Sequence, residues 1–141
     1  MILVDTNVVS ETMRRSPEIK LVAWLNSQAS ETLHLSAISL AELMLGIAVM
    51  PNGRRKTELG LALGERALGL FDERVLAFDE AAASAYASVI SRAGTLGRPI
   101  GMADGQIAAI AITHGLTVAT RDTAPFEAAG LPVINPWHDG D

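Results

Sequence analysis

The sequence predicts an α/β fold in which a five-stranded parallel sheet is covered on both faces by helices. Two observations lead there. Five short β-rich runs punctuate the chain, and stretches with helical patterning separate them. The runs are largely continuous in apolar character rather than alternating, as strands buried on both faces are. At 141 residues the chain is one domain of ordinary size.

Each element has its own signal. Ile2-Leu3-Val4 is an apolar run that stops at Asp5-Thr6-Asn7, so it reads as a buried strand ending in a polar turn. A short helix is expected from Val8 to Arg14. Ser16-Pro17 offers a cap followed by Pro at the first helical position, which predicts a helix to about Ala29 with Leu21, Trp24 and Leu25 inward. Thr32 to Ser36 is the second strand. Ser39 can cap the next helix, which would turn Leu40, Leu43, Met44 and Ile47 inward and end at Pro51-Asn52-Gly53. A helix from Lys56 to Phe71 and a strand from Val75 to Phe78 follow. Asp79 caps a long alanine-rich helix, Glu80 to Thr95, and Gly97-Arg98-Pro99 breaks the chain. Ala103 to His114 is a helix closed by Gly115. Leu116 to Thr120 is a strand, Arg121-Asp122 a turn, Thr123 to Ala129 a short helix, and Val133-Ile134 the last strand.

Composition narrows the function. About half the residues are apolar and only 4% aromatic, so the core is aliphatic. The absence of cysteine excludes disulfide frameworks, thiolate metal sites and cysteine nucleophiles. No apolar run approaches the roughly 18 residues that span a bilayer, and no basic region precedes an apolar stretch at the N-terminus. The chain reads as cytoplasmic, with no membrane role. The net charge of −5 runs against nucleic-acid binding, which is usually basic. The cations are nevertheless grouped, at Arg14-Arg15 and at Arg54-Arg55-Lys56.

Four acids stand out. Asp5 and Asp122 each follow a strand, where open parallel sheets bind ligands; each also suits a turn. Glu42 lies three residues after Ser39, so it fits a capping box as well as a site. Asp104 opens an almost wholly apolar helix and shares a stripe with Ala108 and Ala111. Small residues on that stripe would bring the helix close to the sheet and half-bury the carboxylate, which is costly without a cation or donor. If the four converge, they cannot all ionise comfortably unless a cation neutralises them. Oxygen-only donors suit Mg²⁺ or Mn²⁺. His34, His114 and His138 follow no zinc spacing.

These residues resemble a known family. Strand-Asp5-Thr6-Asn7, Ser39-Leu40-Ala41-Glu42-Leu43 with Gly46, Ala103-Asp104 with Ile107-Ala108, and Thr120-Arg121-Asp122 are similar in order and spacing to the PIN-domain ribonucleases. The likeness is to VapC-type toxins of type II toxin–antitoxin systems, and within them to the FitB-like subgroup, which Asn135-Pro136-Trp137-His138 also resembles. The resemblance covers essentially the whole chain. It implies a single PIN domain over residues 1–141, with a three-layer α/β/α sandwich around a five-stranded parallel sheet. It implies Mg²⁺- or Mn²⁺-dependent endonucleolytic cleavage of RNA. Asp5, Glu42, Asp104 and Asp122 match the family's catalytic acids, with Asp5, Asp104 and Asp122 as metal ligands and Glu42 touching metal or orienting water. Thr6, Asn7 and Thr120 would hold the carboxylates. Arg121 would contact substrate phosphate or serve as a structural ion-pair partner. The resemblance further implies a homodimer or higher toxin–antitoxin assembly, silenced by a cognate, DNA-binding antitoxin. Leu40, Leu43, Ile47 and Met50 are candidates for that contact, against a plain role in the core.

The rival readings fit less well. A signalling receiver domain wants adjacent acids after the first strand and a late lysine; here Thr6 follows Asp5 and no lysine occurs beyond Lys56. A haloacid-dehalogenase-like phosphatase wants a second Asp where Asn7 stands. A PIN-fold module that cleaves little and acts mainly in an antitoxin-bound complex on DNA remains the alternative. Gly105, inside a helix directly after Asp104, weakens that helix and hints at a close approach of substrate.

Overall fold

The computed structural model describes residues 1–138, with residues 66–68 described by their backbone alone. Five parallel strands form one sheet: β1 (Ile2–Val4), β2 (Leu33–Ser36), β3 (Val75–Leu76), β4 (Thr117–Ala119) and β5 (Val133–Ile134). Their order is β3-β2-β1-β4-β5. Register runs Val4↔Leu35 and Val4↔Ala119 across the centre, so β1 has neighbours on both sides. The strand order reverses between β1 and β4, and the crevice for a ligand lies beyond their carboxyl ends.

Side chains alternate along the strands and divide the core in two. Val4, Leu33 and Leu35 pack with Val8, Leu21, Leu43 and Phe71 on one face. Leu3 and Val118 pack with Ile107, Ile110 and Phe126 on the other. The first face is covered by α1 (Thr6–Thr12), α2 (Ile19–Ser27), α3 (Ala37–Ala48), α4 (Arg54–Ala62) and the short α5 (Gly69–Phe71). The second is covered by α6 (Glu80–Thr95), α7 (Met102–His114) and α8 (Ala124–Ala128). The expected parallel sheet between two helical layers is therefore present.

Several boundaries differ from expectation, each for a physical reason. The first helix starts at Thr6, because the Asp5 side chain accepts from the Thr6 N–H. Helix α2 begins at Ile19 rather than Pro17: the Glu18 N–H is bonded to Glu11 Oε2 at 3.0 Å, which ties the linker to α1 instead. Helix α3 is capped by Ser36, whose Oγ accepts from Ser39 N at 2.9 Å. The strand runs straight into the helix, so Ser39 is helical and fully buried rather than a cap. Met44, expected inward, is 56% exposed. The expected helix over 56–71 breaks after Ala62 into a π-helical turn, Leu63–Leu68, before α5. Gly60, Gly64 and Gly69 lie in this stretch, and each weakens a regular helix. Ala77 and Phe78 fall outside β3, an edge strand paired only with β2. Helix α7 ends as expected, with Gly115 in the left-handed region at φ 65°.

Candidate active site at the β1–β4 crevice

The site is built around Asp5, the first residue beyond β1, which is 5% exposed. Its backbone N–H still pairs with Ala119 O at 2.9 Å, so the sheet fixes its position. Its side chain is held twice: Oδ1 accepts from Thr6 N at 2.8 Å, and Oδ2 accepts from the Thr120 hydroxyl at 2.8 Å. Burial nevertheless raises its pKa from 3.8 to about 6. The bonds from Thr120 and Thr6 oppose that rise, while the charges of Asp104 and Glu42 add to it.

Thr120, just past β4, is fully buried. Its hydroxyl donates to Asp5 and accepts from Asn7 Nδ2 at 3.2 Å and from the Asp122 N–H at 3.1 Å. Asn7 Oδ1 in turn accepts from Arg121 N at 3.2 Å. Asn7 thus clamps α1 onto the β4 turn, and Thr120 is the joint between Asp5 and the Asp122 segment. We expect Thr120→Val to leave a buried Asp5 oxygen without its donor, at a cost of about 1–3 kcal/mol. It should push the Asp5 pKa higher still. Loss of a group that orients a metal ligand typically lowers activity about 10–100-fold. Thermal melts and cleavage rates of the variant check both effects.

The other acids arrive from helices and from the β4 turn. Glu42, in the second turn of α3, is exposed at the crevice mouth. Because Ser36 caps α3, Glu42 has no capping duty. The Thr6 hydroxyl lies 2.7 Å from Glu42 Oε1 and 2.9 Å from Ser39 Oγ. That hydroxyl has one proton and a carboxylate only accepts, so Thr6 donates to Glu42 and Ser39 supplies the second bond. Asp104, in the first turn of α7, is half-buried. Burial raises its pKa, and the charges of Asp122 and Glu42 raise it further. The structure therefore joins Asp5, Glu42, Asp104 and Asp122 into one network of like charges at one end of the sheet.

That network matches a hard divalent cation in donor chemistry: it is all oxygen, and its repulsion is what a cation relieves. Among the described residues, no three acids or histidines stand close enough together to form a ready-made ligand cluster.

Two features escaped the sequence reading. Gly105 is a packing residue. A Cβ there would lie 2.6 Å from Ile90 Cδ1 and 3.1 Å from Tyr86 Cε1, both on α6. Its neighbour α6, rather than substrate, needs the space, and the close fit seats Asp104. Arg121 forms no ion pair among the described residues. Its guanidinium lies 5.1 Å from the centre of the Trp137 ring, a cation–π contact across the site rim. Trp137 itself packs against the first core face.

Comparison with known proteins identifies the family of the fold. The PIN domain family matches residues 2–131. The chain is 52% identical to the toxin FitB of Neisseria gonorrhoeae, over 99% of this chain and all of that protein. It is 51% identical to a VapC ribonuclease of Sinorhizobium fredii, over 97% and 98% of the two chains. It superimposes on a chain in a solved structure of FitAB bound to an IR36 DNA fragment with a TM-score of 0.93 at 50% identity, covering 98% and 96% of the two chains. No helix among the described residues is long and apolar enough to cross a membrane. With a domain match over most of its length and relatives more than 50% identical end to end, this chain belongs to the PIN-domain family.

Proposed function

We propose that this protein is the toxin of a type II toxin–antitoxin module, an endoribonuclease that depends on Mg²⁺ or Mn²⁺ and is silenced by a cognate antitoxin. One observation carries the reading: a buried Asp5 whose pKa is raised by burial, facing the like charges of Glu42 and Asp104. Carboxyls perturbed by burial and by one another in a cleft cluster at functional sites. Relatives named as a toxin and as a ribonuclease, and a likeness to FitAB on DNA, support the biological setting.

In this reading Asp5, Asp104 and Asp122 hold the ion. When bound, it would lower the pKa of water and stabilise charge on the phosphate under attack. The residues of the chain do the rest. The Thr6 N–H and the Thr120 hydroxyl fix the Asp5 carboxylate, so it need not reorganise. Glu42, steadied by Thr6, orients the attacking water at the open mouth. Asn7 keeps the Thr120–Asp122 turn on α1, which sets where Asp122 can reach.

The weaker alternative, a DNA-associated complex with little cleavage, draws on the unclustered carboxylates. Purified, antitoxin-free protein distinguishes the two. Cleavage of RNA with Mn²⁺ and none in excess EDTA is the expected result. Equal cleavage in EDTA rules out the metal, and no cleavage under either condition favours the alternative.

A further inference from the structure

A groove leaves the active site on the side of α1 and α4. Its cavity, of about 310 Å³, is lined at one end by Thr6 and Glu42 and farther along by Arg14 and Arg55. A shallower continuation is lined by Arg14, Arg15, Ser16 and Arg55. The guanidinium groups are held in place. Arg14 pairs with Glu11 at 3.3 Å. Arg55 donates to Met13 O at 3.4 Å and lies 3.8 Å from Glu58. Arg15 lies 3.9 Å from the same Glu58 carboxylate. Three cations thus share two carboxylates.

Local pairing accounts for these cations only in part, since three of them share two carboxylates. Arg54, Arg55 and Lys56 fill the first turn of α4, which holds no acid, although the helix dipole disfavours cations there. Lys56 is explained, since its Nζ donates to Ala48 O at the end of α3. Arg55 reaches Met13 O and Glu58, and Arg14 pairs with the buried Glu11, which leaves the cluster with more cations than carboxylates. In a chain of net charge −5, five of the eleven Lys and Arg residues stand at positions 14, 15, 54, 55 and 56, three of them along one groove that opens on Glu42.

We propose that Arg14 and Arg55 bind backbone phosphates of single-stranded RNA next to the cleaved bond, guiding the strand along this groove into the acidic crevice. The proposal rests on the ribonuclease reading. It resolves a conflict that reading contains: a polyanion must enter a site ringed by carboxylates, and the arginines supply the attraction the crevice lacks. The floor is apolar, from Met13, Leu43, Ile47, Met50 and Leu59, and gives a base a dry surface to lie on. Three of these, Leu43, Ile47 and Met50, are the residues the sequence offered for antitoxin contact, so RNA and antitoxin would compete for the groove.

Binding of a short fluorescein-labelled single-stranded RNA in EDTA, followed by anisotropy from about 50 to about 200 mM salt, tests this without cleavage. Each phosphate contact to a single strand contributes about 0.7 to the slope of log affinity against log salt. The double variant Arg14→Gln/Arg55→Gln should therefore lower the slope by about 1.4 and weaken binding about ten-fold. In Mn²⁺ its KM should rise with kcat nearly unchanged. Arg14→Lys/Arg55→Lys, which keeps the charges, should restore the slope and separates the effect from misfolding. An unchanged slope and KM in a double variant, beside a wild type that binds and cleaves RNA, overturns the groove assignment alone. So does a variant that loses only its co-purifying antitoxin, which makes the groove a protein-docking surface. A wild type that neither binds nor cleaves RNA overturns the ribonuclease reading itself.

Discussion

Asp5→Asn is expected to abolish Mn²⁺-dependent RNA cleavage while making the cation-free protein more stable at pH 7. The loss should exceed about 100-fold, because changing a group that merely supports a metal ligand already costs about 10–100-fold. The gain in stability follows from burial. Asp5 is 5% exposed and its pKa is raised from 3.8 to about 6, so at pH 7 it is ionised against the preference of its surroundings. Each pKa unit is about 1.4 kcal/mol, which puts that penalty on the order of 3 kcal/mol. The substitution removes it. The amide keeps an oxygen for the Thr6 N–H, but its NH₂ meets the Thr120 hydroxyl, which already accepts from Asn7 and Asp122. That mismatch costs about 1 kcal/mol, leaving a net gain and a Tm several degrees higher in EDTA. Growth arrest on expression should also be relieved. A variant that still cleaves RNA refutes the assignment of Asp5, and one that melts earlier than wild type at pH 7 refutes the charge argument.

The sheet was legible because short apolar runs have few other uses. Ile2–Val4 stops at a polar residue, and this placed Asp5 at a strand end without any knowledge of its neighbours. The acids were legible as positions but not as a network. Whether Asp104 meets Asp122 depends on how closely α7 packs, and that is set by Gly105 against Tyr86 and Ile90 of α6. Such contacts lie beyond local sequence patterns. Helix starts were misread where two serines compete. Ser36 and Ser39 both satisfy a cap pattern, and only the strand pairing Ser36↔Leu76 shows that the chain turns at the first. The error mattered, since a cap at Ser39 would have given Glu42 a routine task. Trp137 stood out in the sequence only as part of a terminal motif. Its place over Arg121 depends on the final segment crossing to the other core face.

The second large effect is a pH dependence of stability that divalent cation should reverse. A carboxyl whose folded pKa lies above its unfolded value stabilises the fold fully below the unfolded pKa. That contribution disappears as pH rises through the folded pKa. For Asp5 the window runs from 3.8 to about 6. Asp104 is shifted in the same direction, and its partial exposure makes its share smaller. In EDTA the wild type should therefore lose stability on the order of 3 kcal/mol, relative to Asp5→Asn, between about pH 4 and pH 7. The variant should melt slightly below the wild type at the low end, where only its amide mismatch is felt, and overtake it as pH rises and Asp5 ionises. Using the difference between them cancels the titration of groups outside this network of acids. Mn²⁺ binds the ionised form, so it should raise the wild-type Tm more at pH 7 than at pH 4 and leave the variant nearly unmoved. Parallel melting curves across this range would mean that the crevice does not strain Asp5. The like-charge network would then be no evidence for a cation site. A separation that Mn²⁺ closes would tie the same residue to both the cost of folding and the binding of the ion. Ground-state repulsion among Asp5, Glu42, Asp104 and Asp122 would then be what makes the site select a divalent cation over monovalent salt.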